Sequence, residues 1–261
     1  MTAIGGIDHV IVLVRDLEAA MAGWRDLGFR PTPLGVHSAH MGTHNATIVF
    51  PNRTYIELMG VRLPTPANAA ERAMLAVREG LFGFVGKTAD AEAAARQFQT
   101  AGLGTGEALG FSRPVALPTG NVEARFTVAR PANEAAPGAF FFVCQHHTPD
   151  AVWRSDYLQQ PNGVRGLVEV VGVADDLDAL AEGYARLWPG QVQRQDDRVT
   201  IGDAGPALTF LTPAALRARF GDAAAMGSAP RPGLAALVLR GVERRRVPAT
   251  EANGVLLAIE P

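Results

Sequence analysis

The stretch Ile7-Asp8-His9-Val10-Ile11-Val12-Leu13-Val14-Arg15-Asp16-Leu17 decides the fold. Its apolar run, interrupted by one histidine, reads as a strand, and Asp16 followed by Leu17 reads as the opening of a helix. The Asp16 carboxylate can accept from the orphan N–H groups of the first turn. Leu17, Ala20, Trp24 and Leu27 then share one helix face, and Gly28 supplies the stop. Residues 31–41 are expected to hold a strand and a loop. Residues 43–50 and 54–59 read as two further strands around the turn Pro51-Asn52-Arg53.

The unit recurs. With an offset of 74 residues, 81–87 is a strand, Asp90 stands where Asp16 stood, and Ala91, Ala94, Phe98 and Ala101 repeat the helix face. Later strands fall at 122–129 and 139–145. With an offset of 160, the strand is 166–173, the cap Asp176, and the face Leu177, Leu180, Tyr184 and Leu187. Strands at 199–201 and 207–211 and a helix at 213–220 follow. Residues 234–239 and 254–259 look like the first and last strands of a shortened fourth copy. A short helix at 71–79 and a polar arm at 150–162, carrying Trp153 and Tyr157, connect the copies. A unit that cannot bury its own apolar face must pack on its copies. The expected architecture is α+β, tandem βαβββ modules in two curled sheets. The expected layout is a module pair at 1–149, a bridging arm at 150–165 and a truncated pair at 166–261.

Composition excludes several classes. The chain has 261 residues, 48% hydrophobic and 19% charged, so it can bury a core. Net charge is −2, and the only basic run, Arg244-Arg245-Arg246, reads as a solvated strand edge, so no nucleic-acid partner is expected. The single cysteine, Cys144, excludes an internal disulfide. No apolar run reaches the ~18 residues of a membrane span, and no basic-then-apolar leader opens the chain. A cytoplasmic protein acting on a small molecule is expected, with a homodimer possible.

The elements Ile7-Asp8-His9-Val10 with Asp16-Leu17, Gly42-Thr43-His44-Asn45, and Tyr55-Ile56-Glu57-Leu58 resemble the vicinal oxygen chelate superfamily, also called the glyoxalase/bleomycin-resistance/dioxygenase fold. The branch most resembled is that of the glyoxalase-like domain proteins. The resemblance implies paired modules whose strands curl into an open cup, with a divalent metal held inside by residues of the first and last strands. It makes His9 the first-strand ligand and Glu57 the last-strand ligand of module one. The corresponding first-strand position of module two is Gly83, which has no side chain to offer. On the last strand of module two, His146 is the candidate ligand. Strand alternation groups it with Cys144, and Gln145 with His147, without deciding which pair faces inward. Module three places Glu169 at the His9 position, where Arg165 or Arg186 could pair with it.

Two imidazoles and a carboxylate would suit Fe2+, Mn2+, Zn2+, Ni2+ or Mg2+, which sequence cannot separate. Such a centre implies a lyase, isomerase or dioxygenase acting on a small oxygen-rich molecule, with Glu57 catalytic as well. Burying an unpaired carboxylate such as Glu57 between Ile56 and Leu58 is costly, which argues for a partner. His44, Asn45 and Tyr55 are candidate substrate-binding residues, although His44 and Asn45 could equally hold a turn. His37 and His40 are expected on an exposed loop, and Cys144 as an inert buried thiol. The alternative, favoured by Gly83, is a metal-free protein that sequesters a small molecule in the same cup.

Overall fold

The computed structural model describes residues 2–117, 120–202, 205–221 and 231–261. The first module is β1 (Ile7–Leu13), α1 (Leu17–Asp26), β2 (Gly35–Val36), β3 (Thr43–Val49) and β4 (Tyr55–Val61). Helix α2 (Ala69–Val77) leads to the second: β5 (Gly80–Lys87), α3 (Ala91–Thr100), β6 (Ala108–Leu117), β7 (Gly120–Ala129) and β8 (Phe140–His146). Two short helices, α4 (Pro149–Val152) and α5 (Ser155–Leu158), form the arm. The third module is β9 (Gly166–Val173), α6 (Leu177–Leu187), β10 (Val192–Gln195), β11 (Arg198–Ile201) and β12 (Ala207–Leu211). After α7 (Pro213–Phe220), the fourth copy is β13 (Gly233–Arg240), β14 (Arg245–Val247) and β15 (Leu256–Glu260).

The repeated aspartates do the capping their position implies. Asp16, Asp90 and Asp176 each accept a backbone N–H three residues on, from Ala19, Ala93 and Ala179. Gly28 takes φ +85°, a conformation that a side chain would strain, and ends α1. The apolar stripes Leu17/Ala20/Trp24, Ala91/Ala94/Phe98 and Leu177/Leu180/Tyr184/Leu187 are all buried.

Two mixed sheets result, ordered β2-β3-β4-β1-β5-β8-β7-β6 and β10-β11-β12-β9-β13-β15-β14. In each, the first strand of a module lies parallel to the last strand of its own module. The first strands of paired modules meet antiparallel at the centre, β1 on β5 and β9 on β13. One face of each sheet, with the helices, joins a shared core containing Val10, Val12, Trp24, Phe84, Tyr184 and Leu237. The opposite face of each sheet is its concave side. Sequence reading misses β6 and β10. Strand β6 carries Gly110 and Pro114, residues that argue against a strand, but it lies at the sheet edge, where a proline's missing N–H costs nothing.

The second cup is filled by the chain itself. Leu216 and Phe220 of α7 pack on Val171, Val173, Ala236 and Val238. Arg219 closes a two-pronged ion pair on Glu169, with Nη1–Oε1 3.1 Å and Nη2–Oε2 2.6 Å. Glu169 therefore pairs with Arg219 rather than Arg165 or Arg186; the helix that delivers the arginine lies fifty residues away in sequence. Arg245 and Arg246 lie on β14, the edge strand, and are exposed.

Candidate active site

The first cup is built by period-two alternation. On β4, Ile56 and Leu58 enter the shared core, so Tyr55, Glu57 and Met59 turn to the concave face. On β1, Val10 and Val12 enter the core, so His9, Ile11 and Leu13 face the cup. On β8, Phe141 and Val143 enter the core, and Phe142, Cys144 and His146 face the cup. That settles the alternation left open on β8. Gln145, on the other face, instead secures the start of α3 by accepting from the Ala91 N–H at 3.1 Å.

Asp8 escapes this alternation. The pairing of β1 with β5 slips between Ile7 and His9, so Asp8 is the extra residue of a bulge. Bulges re-aim side chains beside functional sites. Here the bulge brings Asp8 Oδ1 to 2.8 Å from His9 Nδ1 and 3.0 Å from His146 Nε2. Burial pushes the Asp8 carboxyl up, but hydrogen bonds from His146 and His9 outweigh it and hold the group at about 2. A carboxylate only accepts, so both imidazole nitrogens that face it carry the proton. His9 Nε2 is the ring nitrogen turned to the cup.

Glu57 Oε2 lies 3.6 Å from that nitrogen. The Tyr55 hydroxyl is 3.3 Å from the same nitrogen, but the two rings are stacked at 4.0 Å and 13°. Burial, together with the Asp8 and Glu57 charges, raises the Tyr55 phenol well above its ordinary value, so it stays protonated. Asn45 donates to Glu57 Oε1 at 2.6 Å, and His37 Nε2 stands 3.8 Å from the same oxygen. Burial lowers His37, with Glu57 opposing in part. Trp153 from the arm closes the floor, its ring 4.7 Å from His146 and its Nε1 donating to the Thr54 carbonyl.

His9, Glu57, Asn45 and Tyr55 thus converge as the sequence suggests. His44 does not join them. Alternation puts it on the opposite face from Asn45, and its Nε2 lies against Gly60 beside Leu17. His40 is exposed as expected, whereas His37 folds back on Thr43, with Nδ1–Oγ1 2.7 Å. Sequence reading misses His37, because it sits among loop residues. It also passes over Asp8, whose inward turn depends on a bulge. Cys144 is buried, and burial raises its thiol well above the ordinary value.

His9, Glu57 and His146 do not stand together as a ready three-ligand set. Among the described residues no three His, Cys, Asp or Glu side chains converge as such a group. His146, the expected third ligand, gives its Nε2 to Asp8, and its Nδ1 is buried without a partner. At Gly83 a Cβ would run into the Phe140 carbonyl oxygen, so the position opposite His9 in module two admits no ligand.

Two tandem module pairs with a cup between first and last strands define the vicinal oxygen chelate fold. The model of the glyoxalase-like domain family matches residues 7–188, and the chain belongs to that family. No curated protein matches the sequence. A hypothetical protein from Staphylococcus aureus is similar in structure across 98% of both chains, at 12% identity and TM-score 0.72. A 4-hydroxymandelate synthase mutant from Streptomyces coelicolor is similar at 13% identity and TM-score 0.51, over 95% of this chain and 78% of that one. A xylose isomerase-like TIM barrel/4-hydroxyphenylpyruvate dioxygenase fusion protein is similar at 14% identity and TM-score 0.54, over 93% of this chain and 37% of that one. These likenesses concern the fold. Among the described residues, no helix is long and apolar enough to cross a membrane.

Proposed function

We propose that the chain is an enzyme of the lyase or isomerase type that moves a proton on a small oxygen-rich molecule held in the first cup. One observation carries this reading: His9 is anchored through Nδ1 to buried Asp8 and presents Nε2 to the cup, facing Glu57. A base oriented by a buried carboxylate is the recurring arrangement for proton abstraction. His9 Nε2 takes a proton from a carbon next to the substrate carbonyl, leaving an enolate. The imidazolium so formed lies between the Asp8 and Glu57 carboxylates, which stabilise it. The proton then returns to a neighbouring carbon or oxygen, giving an isomer, or a leaving group departs, giving a lyase product. Glu57, held by Asn45, is placed to relay that proton. Every step here is carried by the chain's own side chains.

The test is solvent deuterium exchange. In D2O, the protein should catalyse incorporation at the α-carbon of one or more 2-oxo or 2-hydroxy compounds, followed by proton NMR. His9→Asn should lower the rate by about 100-fold or more. Exchange that His9→Asn leaves intact would overturn the assignment.

The second reading is a sequestering protein. It draws support from the cup's aromatic lining, where Phe82 stacks on Phe140 at 4.7 Å and Phe140 meets Phe142 edge-on. It expects tight binding without any exchange.

A further inference from the structure

A second group of side chains lies beside the cup and plays no part in the His9 chemistry. Arg113 of β6 and Arg154, at the start of α5, line the same small cavity, together with Thr32, Thr47 and Tyr157. Its volume is about 30 Å³. Thr47 is the cross-strand partner of Glu57, so this cavity adjoins the catalytic carboxylate.

Both guanidiniums have capacity to spare. Arg113 makes no ion pair among the described residues; its guanidinium rests 6.0 Å from the Phe126 ring. Arg154 gives one Nη2 bond, 2.9 Å, to Asp156, but its Nε is buried and has no partner. A buried N–H left unpaired is costly, and an acceptor in the cavity would relieve it. Thr47 and Thr32 bond to each other there, with Oγ1–Oγ1 3.1 Å, so the hydroxyl that accepts keeps its own O–H to donate, and neither adds negative charge.

We infer that this cavity is the anion subsite of the active site, and that the substrate is a small carboxylic acid. The inference rests on the proton-transfer reading for what happens at the other end of the molecule. Arg113 and Arg154 hold the carboxylate as a planar anion suited to guanidinium forks. A planar fork on each guanidinium matches the two oxygens of a carboxylate. Cross-strand neighbours stand about 5 Å apart. An acid anchored beside Thr47 therefore presents its second or third carbon near Glu57 and His9.

Calorimetric titration tests this without requiring turnover. Lactate and pyruvate are compared with their neutral isosteres lactamide and pyruvamide, and with inorganic phosphate, on the intact chain. At least one acid should bind about tenfold or more tighter than its amide, and tighter than phosphate. Arg113→Gln and Arg154→Gln should each weaken the acid by about tenfold and leave the amide unchanged. Acid and amide binding alike, no acid binding, tighter phosphate binding, or acid binding unmoved in either folded arginine variant would overturn the assignment. If acids bind as expected but no deuterium exchange occurs, the proton-transfer reading fails and the subsite stands.

Discussion

Asp8 receives two imidazoles on a single oxygen. His9 Nδ1 and His146 Nε2 both meet Oδ1, at 2.8 and 3.0 Å, while Oδ2 is buried without a partner. The second histidine thereby acts on the first through the shared carboxylate. It fixes where Asp8 sits, and so which ring nitrogen of His9 keeps the proton.

Stability should report this carboxylate directly. Its value is lowered from 3.8 to about 2 in the folded chain. The stabilisation is therefore present above about pH 4 and is lost as pH falls toward 2, a contribution of roughly 2 kcal/mol. Asp8→Asn should remove that component. Urea denaturation at pH 5 and pH 2.5 should show the gap between wild type and variant shrinking at the lower pH. An unchanged gap would contradict the ionised, doubly bonded Asp8.

His146→Leu should lower the deuterium-exchange rate and alter its pH profile while leaving carboxylate binding in place. A purely structural residue would change the rate without reshaping the profile. The loss of one bond to a buried charge should also cost about 2–3 kcal/mol in denaturant stability.

Metal content follows from the donor set. After dialysis with Fe2+, Mn2+, Zn2+, Ni2+ or Mg2+, elemental analysis should find well under one ion per chain. His9→Ala and Glu57→Ala should not differ from wild type. One ion per chain, lost in both variants, would mean that solvent or substrate completes a centre on two protein ligands.

Two glycines predict opposite outcomes. Gly83→Ala would drive its Cβ into the Phe140 backbone, which cannot swing aside, and should lower the melting temperature sharply. Gly60→Ala comes within 3.0 Å only of the end of the half-buried His44 side chain, 2.6 Å from the new Cβ, with Leu17 Cβ at an ordinary 3.5 Å. The Gly60 variant should fold and keep full activity, because His44 lies outside the cup. Thermal melts of the two decide it.

Cys144 should resist iodoacetamide in the native protein at pH 8 and react in urea, since burial raises its thiol and hides it. Labelling of the native protein, read by mass spectrometry, would contradict that packing.

Much of the fold is legible because it is periodic. Asp16, Asp90 and Asp176, each followed by an apolar helix stripe, mark three modules, and Leu234–Leu239 marks the fourth. Edge strands are less legible: β6 contains Gly110 and Pro114, and its pairing rather than its composition makes it a strand. In the site, His9 and Glu57 are readable because an imidazole and an acid stand out on apolar strands. Asp8 is hidden, since alternation assigns it to the core face and only the bulge reverses it. Arg113 and Arg154 are hidden for another reason. Forty-one residues separate them, and the fold alone brings them to one cavity.

The Glu169–Arg219 pair sets how many ligands one chain can hold. The second half carries an acid at the position of His9, yet its own helix supplies the countercharge and Phe220 fills the space above. A guest there would have to expel a guanidinium already seated with both prongs. Saturation at a single equivalent per polypeptide follows, despite an architecture that is doubled.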